Sequence, residues 1–284
     1  MKVFFYGTLR KNEKNSERLK GAVCLAEQAW VYGELFDTGL GYPVMKKSSE
    51  RKVYGELYEI GADILKELDE LEGYEPSRLN NLYDRVEVEV YTDTESEAAF
   101  VYIGKQPNLA KVLIPHGDWK LYQLLKSQPG TIFYFAYGSC MDIERFQQAN
   151  VEHYFQKVVG ACTLDGYSMK YLFSAHDGGR ADIIEDGGGT EGILYQIPYA
   201  AIEYLFNREG FYTGWYRATF VHVHVGESLF TDVLTFHVYD KKEEQSPPAH
   251  YAKEILRGSK GRVSLTYYEN LVDELKRLGC EYIG

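Results

Sequence analysis

Tyr6-Gly7-Thr8-Leu9 closes an apolar strand near the start of the chain, and Tyr137-Gly138-Ser139-Cys140 closes another near its middle. Each is followed by a helix-like stretch ending in Glu-Gly, at Glu72-Gly73 and at Glu209-Gly210, and then by aromatic and basic residues. These are Tyr83 and Arg85 in the first half and Trp215, Tyr216 and Arg217 in the second, where either Trp215 or Tyr216 could match Tyr83. Sixty-six positions separate Tyr6 from Glu72 and 72 separate Tyr137 from Glu209, so order and spacing both nearly repeat. The pattern reads as a duplicated domain carrying a duplicated site.

The length of 284 residues also suits two domains of ordinary size. Between the repeats, short strand-like runs such as Ala29 to Phe36, Val53 to Tyr58 and Val86 to Tyr91 follow one another with turn residues between them. Few helices interrupt them, so the expected class is α+β, a barrel or strongly curved sheet with flanking helices. A Pro129-Gly130 turn ahead of the strand Ile132 to Tyr137 sets the expected boundary, giving domains 1–129 and 130–284. A terminal helix is expected around Tyr267 to Leu278.

Composition bounds the function. Hydrophobic residues make up 45% and charged residues 26%, ordinary for a globular chain. A net charge of −11 without a basic cluster argues against nucleic acid as a partner, because phosphate binding requires concentrated positive charge. Val3-Phe4-Phe5-Tyr6 is too short for a signal-peptide core, and no run approaches the roughly 18 apolar residues of a membrane span, so no membrane partner and a cytoplasmic location are expected. Cys24, Cys140, Cys162 and Cys280 are widely spaced and read as free thiols.

The two glutamates carry the chemical signal. In the stretch Asp63 to Glu72, Ile64, Leu65, Leu68 and Leu71 form an apolar stripe, and Glu72, four positions after Leu68, falls within its arc. In Tyr199 to Glu209, Ile202, Leu205 and Phe206 form the stripe and Glu209 falls inside it. A carboxylate turned toward apolar surroundings must be hydrogen-bonded or shift its pKa upward, toward the range useful for acid–base chemistry near neutral pH. The plain alternative is a helix end at which the following glycine turns the chain and the side chain reaches solvent. The same arrangement behind the same turn in both halves favours the chemical reading. A strand ending in Gly and then Thr or Ser can turn successive N–H groups outward into a nest for a carboxylate or oxyanion, to which the Tyr6 and Tyr137 hydroxyls could add a donor.

These residues resemble the γ-glutamylcyclotransferase-like family. Phe5-Tyr6-Gly7-Thr8-Leu9-Arg10, Leu35-Phe36-Asp37, Tyr42-Pro43, Leu68 through Tyr74 and Tyr83-Asp84-Arg85 are similar to the γ-glutamylamine-cyclotransferase branch. Phe135-Ala136-Tyr137-Gly138-Ser139 and Glu209-Gly210 are closer to the branch with the classical γ-glutamylcyclotransferases and the butirosin-pathway enzyme. The tandem layout is similar to that of a two-domain cyclotransferase-like protein of bacilli. The resemblance implies two tandem mixed β-barrels with flanking helices, Glu72 and Glu209 as acid–base residues, and substrate binding by Tyr6, Gly7, Thr8, Leu9, Tyr83 and Arg85 in one half. In the other half it implies binding by Tyr137, Gly138, Ser139 and Cys140. The implied reaction closes the substrate's α-amine onto its own γ-carbonyl, giving 5-oxoproline and a free amine, with no metal and no organic cofactor. The partner is then a small γ-glutamyl compound, and a monomer with its two domains packed together is expected.

Two rival functions stand beside this one: a module that binds γ-glutamyl ligands without turnover, and an amide hydrolase or acyltransferase on the same scaffold. Cys140 stands where the family's second branch usually has Asn, which favours altered specificity in domain two. Beside an anion nest its pKa could fall, but no histidine can be placed next to it, and a packed thiol is the reading taken. His222 and His224 share a strand face without an evident third ligand and are read as structural. Gly178-Gly179 and Gly187-Gly188-Gly189 lack the Lys-Ser or Lys-Thr of a phosphate loop and are read as turns.

Overall fold

The structure, a computed structural model, describes residues 1–280 and divides into two compact units, Met1–Ser127 and the chain from Gln128 onward. The fold is α+β, with one closed five-stranded mixed barrel in each unit.

In the first unit the barrel is built from β1 (Lys2–Phe5), β2 (Val23–Tyr32), β5 (Lys52–Glu59), β6 (Tyr83–Tyr91) and β7 (Ser96–Gly104), in the order β1-β5-β2-β6-β7. A parallel pairing of Val3 with Phe100 closes it. A small sheet of β3 (Glu34–Asp37), β4 (Pro43–Lys46) and β8 (Val112–Leu113) flanks it, with helices α1 (Ala62–Leu71) and α2 (Trp119–Ser127). The run expected as one strand, Ala29 to Phe36, breaks at Gly33, beyond which the chain leaves the barrel for the small sheet. Alternation along β1 feeds two cores: Phe4 packs with Leu57 and Trp119, while Val3 and Phe5 pack with Leu65 and Leu68 of α1.

The second unit repeats the plan. Its barrel comprises β9 (Thr131–Ala136), β10 (Val158–Ala175), β11 (Gly178–Pro198), β12 (Tyr216–Val225) and β13 (Ser228–Val238). Around the barrel β9 is followed by β11, β10, β12 and β13, the cyclic order of β1, β5, β2, β6 and β7. Register repeats too: Phe5 pairs with Glu56 as Ala136 pairs with Ile193, and the parallel closure Val3 with Phe100 becomes Tyr134 with Leu234. Helices α3 (Ile143–Gln148), α4 (Ala201–Arg208), α5 (Ala249–Ser259) and α6 (Leu265–Arg277) flank it.

One sequence reading is corrected here. Gly187-Gly188-Gly189 is not a turn between elements but lies inside β11, opposite Gly166 at a register shift in the long β10–β11 hairpin. Gly187 and Gly166 both have φ of +86°, a conformation glycine adopts without steric cost, so the ladder bends here without ending.

Candidate active site

Both glutamates occupy the same backbone position. Glu72 caps α1 with φ −83° and ψ 0°, its N–H bonded to Leu68 C=O at 2.9 Å; Glu209 caps α4 with φ −84° and ψ 3°, its N–H bonded to Leu205 C=O at 2.9 Å. Gly73 and Gly210 follow, each at φ +61°, the left-handed residue that ends the helix. Each glutamate ends its helix, as the plain alternative has it, but its side chain lines a pocket and does not run out to solvent as that alternative expected.

In the first unit the carboxyl looks into a cavity of about 190 Å³. Tyr6, Gly7, Thr8, Leu9, Glu72 and Tyr83 all line it, as do Asn15, Tyr42, Leu82 and Tyr102, which the motif reading had not assigned to a site. Burial alone pushes the Glu72 carboxyl up to about 7. Arg85 does not reach the cavity. Its guanidinium binds Asp69 at 2.6 Å and lies over the rings of Tyr74 and Phe100, so it braces α1 from the outside.

The tyrosine hydroxyls are committed elsewhere, which corrects the expectation that they add a donor. Tyr6 donates to Tyr102 C=O at 2.7 Å, and Tyr137 donates to Phe236 C=O at 2.7 Å. Tyr83 donates to Pro43 C=O and Tyr216 to Ala181 C=O. Tyr216, first residue of β12 as Tyr83 is of β6, is thus the counterpart of Tyr83, and Trp215 is exposed. These tyrosines wall the sites. Arg10 N–H to Gly7 C=O and Met141 N–H to Gly138 C=O close the two turns. The amides in between, those of Thr8, Leu9, Ser139 and Cys140, make no backbone hydrogen bond among the described residues.

Each loop is fixed by an ion pair, with the signs reversed, buried in the first unit and half-exposed on its Arg257 side in the second. Arg10, 2% exposed, binds Glu56 and Asp118 at 3.1 Å each, and Glu56 also accepts from Lys11 N–H and the Tyr58 hydroxyl. In the second unit the loop supplies the anion, Asp142, 1% exposed, and Arg257 of α5 the cation. Arg262 donates to Met141 C=O on the same loop.

The second site differs at two positions beside the glutamate. Counting from the tyrosines and from the glutamates, Leu9 corresponds to Cys140 and Leu71 to Arg208. The Cys140 thiol donates to Glu209 Oε1 at 3.2 Å, while Arg208 donates from Nε to Cys140 Sγ at 3.0 Å and from Nη2 to Ser139 Oγ at 2.8 Å. Burial raises the Glu209 pKa, and Arg208, 3.6 Å away, opposes the rise. Burial likewise pushes the Cys140 thiol up to about 11, the direction of the packed thiol read from the sequence and opposite to what a nest alone would do. The inner pocket around Tyr137, Gly138, Ser139, Cys140 and Glu209 measures about 30 Å³ and shares Ser139, Glu209, Tyr216 and Tyr251 with an outer cleft of about 540 Å³. His222 stands apart, its Nδ1 accepting from Asp232 N–H, and no cluster of three metal-ligating side chains occurs among the described residues.

Two closed barrels of one topology, each setting an inward glutamate opposite a tyrosine-glycine turn, define the class, and comparison with known proteins names it. Residues 3–121 match the family described as "Gamma-glutamyl cyclotransferase, AIG2-like", and residues 190–271 match the "AIG2-like family". The chain is 41% identical over 279 residues to the "Putative gamma-glutamylcyclotransferase YkqA" of Bacillus subtilis, covering 97% of this chain and 98% of that one. The crystal structure of YkqA superposes with a TM-score of 0.89 at 40% identity, covering 98% of each chain. The "Gamma-L-glutamyl-butirosin B gamma-glutamyl cyclotransferase" of Niallia circulans is 37% identical over 123 residues, 43% of this chain and 77% of that one. The chain belongs to the γ-glutamylcyclotransferase family. No helix among the described residues is long and apolar enough to cross a membrane.

Proposed function

We propose that the chain is a γ-glutamyl cyclotransferase, releasing 5-oxoproline and a free amine or amino acid from a γ-glutamyl compound, with Glu72 and Glu209 as the acid–base residues. The single observation that carries this is the Glu72 carboxyl, held at about 7 by burial in a cavity that also contains the Tyr6-Gly7-Thr8-Leu9 turn. A group poised there is deprotonated often enough to accept a proton and protonated often enough to return it.

In the proposed reaction the ionised glutamate takes a proton from the substrate's α-amine, whose nitrogen attacks the γ-carbonyl carbon and closes the five-membered ring. The turn amides stabilise the oxyanion, the bond to the leaving nitrogen breaks, and the glutamate returns the proton to that nitrogen. No water is consumed. The nucleophile belongs to the substrate, so the walls have only to hold its chain folded back on itself, which the compact tyrosine-lined cavity suits.

One observation favours the rival binding reading for the second unit: Glu209 is already engaged by Cys140 and lies near Arg208, and the inner pocket holds roughly a water or two. The experiment is 5-oxoproline release from a mixed γ-glutamyl panel by the wild type, Glu72→Gln, Glu209→Gln and the double variant. Release abolished in the double variant supports the reading. A wild type that releases none from any member sinks it, and tight binding without release would transfer the site to the binding class.

A further inference from the structure

The two sites face differently charged surroundings. The cavity beside Glu72 is lined by no basic side chain; apart from Glu72 its walls are aromatic, aliphatic or neutral polar. The cleft beside Glu209 is almost three times as large and lined by three arginines, Arg145 of α3, Arg180 of β11 and Arg208 of α4, in a chain whose net charge is −11. Against them stand one other lining carboxylate, Glu254, which binds Arg145 at 3.0 Å, and Asp177, which binds Arg180 at 2.7 Å. Arg180 also lies over the Tyr251 ring and donates to the carbonyls of Gly178 and Gly179, so its guanidinium is fixed in orientation. Arg208 reaches no carboxylate closer than Glu209 at 3.6 Å, and burial disfavours the charged form of that group.

A guanidinium carries five N–H donors in a planar fork, so a single carboxylate partner leaves donors over, and several such forks around an apolar-walled cleft focus positive potential within it. Phe173 and Trp215 supply the apolar wall. The cleft shares Ser139, Glu209, Tyr216 and Tyr251 with the inner pocket, so a substrate whose scissile amide reached Glu209 would have the cleft open to its amine portion.

We propose that this cleft is a leaving-group subsite for an acidic amine. The second unit would then take γ-glutamyl compounds whose amine portion carries a carboxylate or phosphate several bonds from the amide, and the first unit those whose amine portion carries none. The inference rests on the reading of both units as γ-glutamyl sites. Cationic forks of this kind bind carboxylates and phosphates through charge-assisted, often bidentate hydrogen bonds, and a hydrogen bond to a charged group shifts affinity by on the order of tenfold or more.

The test uses the full chain and matched compounds: γ-glutamyl-n-butylamide, γ-glutamyl-4-aminobutyrate, which has a carboxylate in place of the terminal methyl, and γ-glutamyl-O-phosphoethanolamine. With the first site silenced by Glu72→Gln, kcat/KM for one or both anionic compounds should exceed that for the butylamide by about tenfold or more, and the two anions distinguish carboxylate from phosphate. The preference should vanish in an added Arg180→Gln and return in Arg180→Lys. Because Arg180 also braces the hairpin turn, Arg145→Gln serves as a second variant, and both are accepted only with an unchanged thermal transition. The Glu209→Gln protein should show no preference for the anions. Where the second unit binds without turnover, the same ratios are read in Kd. Rates or affinities within about twofold across the three compounds in the Glu72→Gln protein would overturn the subsite and leave the cyclotransferase reading standing. A wild type that neither turns over nor binds any of them would remove both.

Discussion

At the scale of single residues, the chemistry depends on how a carboxyl behaves when its helix ends against a core. Glu72 ionises ordinarily near 4.5, and burial holds it at about 7. Between those values the folded protein keeps a proton that the unfolded chain releases, so stability falls as pH rises through the window, by up to about 3 kcal/mol once both are passed. Glutamine has the shape of the protonated carboxyl and no such penalty. Glu72→Gln should therefore match the wild type near pH 4.5 and exceed it near pH 8, with the first unit's transition several degrees higher in thermal denaturation. A gap that stays constant with pH would place the carboxyl in water. The same substitution should lower first-unit turnover by about a hundredfold to ten-thousandfold, the usual range for a lost acid–base group, and wild-type turnover there should rise through pH 7 as the base ionises.

At the scale of elements, close approaches hold each site's frame. A Cβ on Gly55 of β5 would lie 2.2 Å from Phe5 C=O and 2.7 Å from the Phe4 ring; on Gly192 of β11 it would lie 2.3 Å from Ala136 C=O and 2.5 Å from the Phe135 ring. These are the same barrel position in the two units, where only a residue without a side chain lets neighbouring strands meet. Gly55→Ala should cost about 1–3 kcal/mol or more, seen as a lowered first-unit transition, because the obstacle is backbone and cannot swing aside. Arg10→Gln should cost more, about 3–5 kcal/mol, since it strands Glu56 and Asp118 with Lys120, 3.8 Å from Glu56, as the nearest remaining cation. The helices that carry the glutamates were legible in the sequence because amphipathic spacing is a local signal: the stripe at Leu65 and Leu68, and that at Ile202, Leu205 and Phe206, are buried as the periodicity required. The anchors were not legible. Arg10 meets Asp118 across 108 positions and Asp142 meets Arg257 across 115, and nothing in local spacing pairs charges at that range. Arg85 failed for the converse reason. Strand alternation places it on a face but cannot say that Asp69 waits on the same side.

At the scale of the whole molecule, the duplication preserved the frame and altered the surroundings of the acid. Strand order, barrel closure and helix-end geometry coincide in the two units, whereas Leu9 and Leu71 of the first are replaced by Cys140 and Arg208 at the corresponding positions of the second. A guanidinium and a thiol donor both favour the ionised carboxylate. Other groups around Glu209 are the buried hydroxyls of Tyr134 from β9, Tyr137 just after it, Tyr216 from β12 and Tyr251 from α5, whose own pKa values burial pushes upward, so they stay neutral. Arg208→Leu should then move the acid-side limb of second-unit turnover to higher pH, measured in a Glu72→Gln background with one saturating substrate. A limb that does not move would mean that the guanidinium is screened from the carboxyl. Among the described residues each barrel closes on its own five strands, and each loop is anchored by charges from its own unit. Two sites so built should act independently, and independent contributions add. The wild-type rate at every pH should equal the sum of the Glu72→Gln and Glu209→Gln rates. A wild type running more than about twofold faster or slower than that sum would show that the state of one glutamate alters the other, and the tandem would then be a coupled device and not a pair of sites.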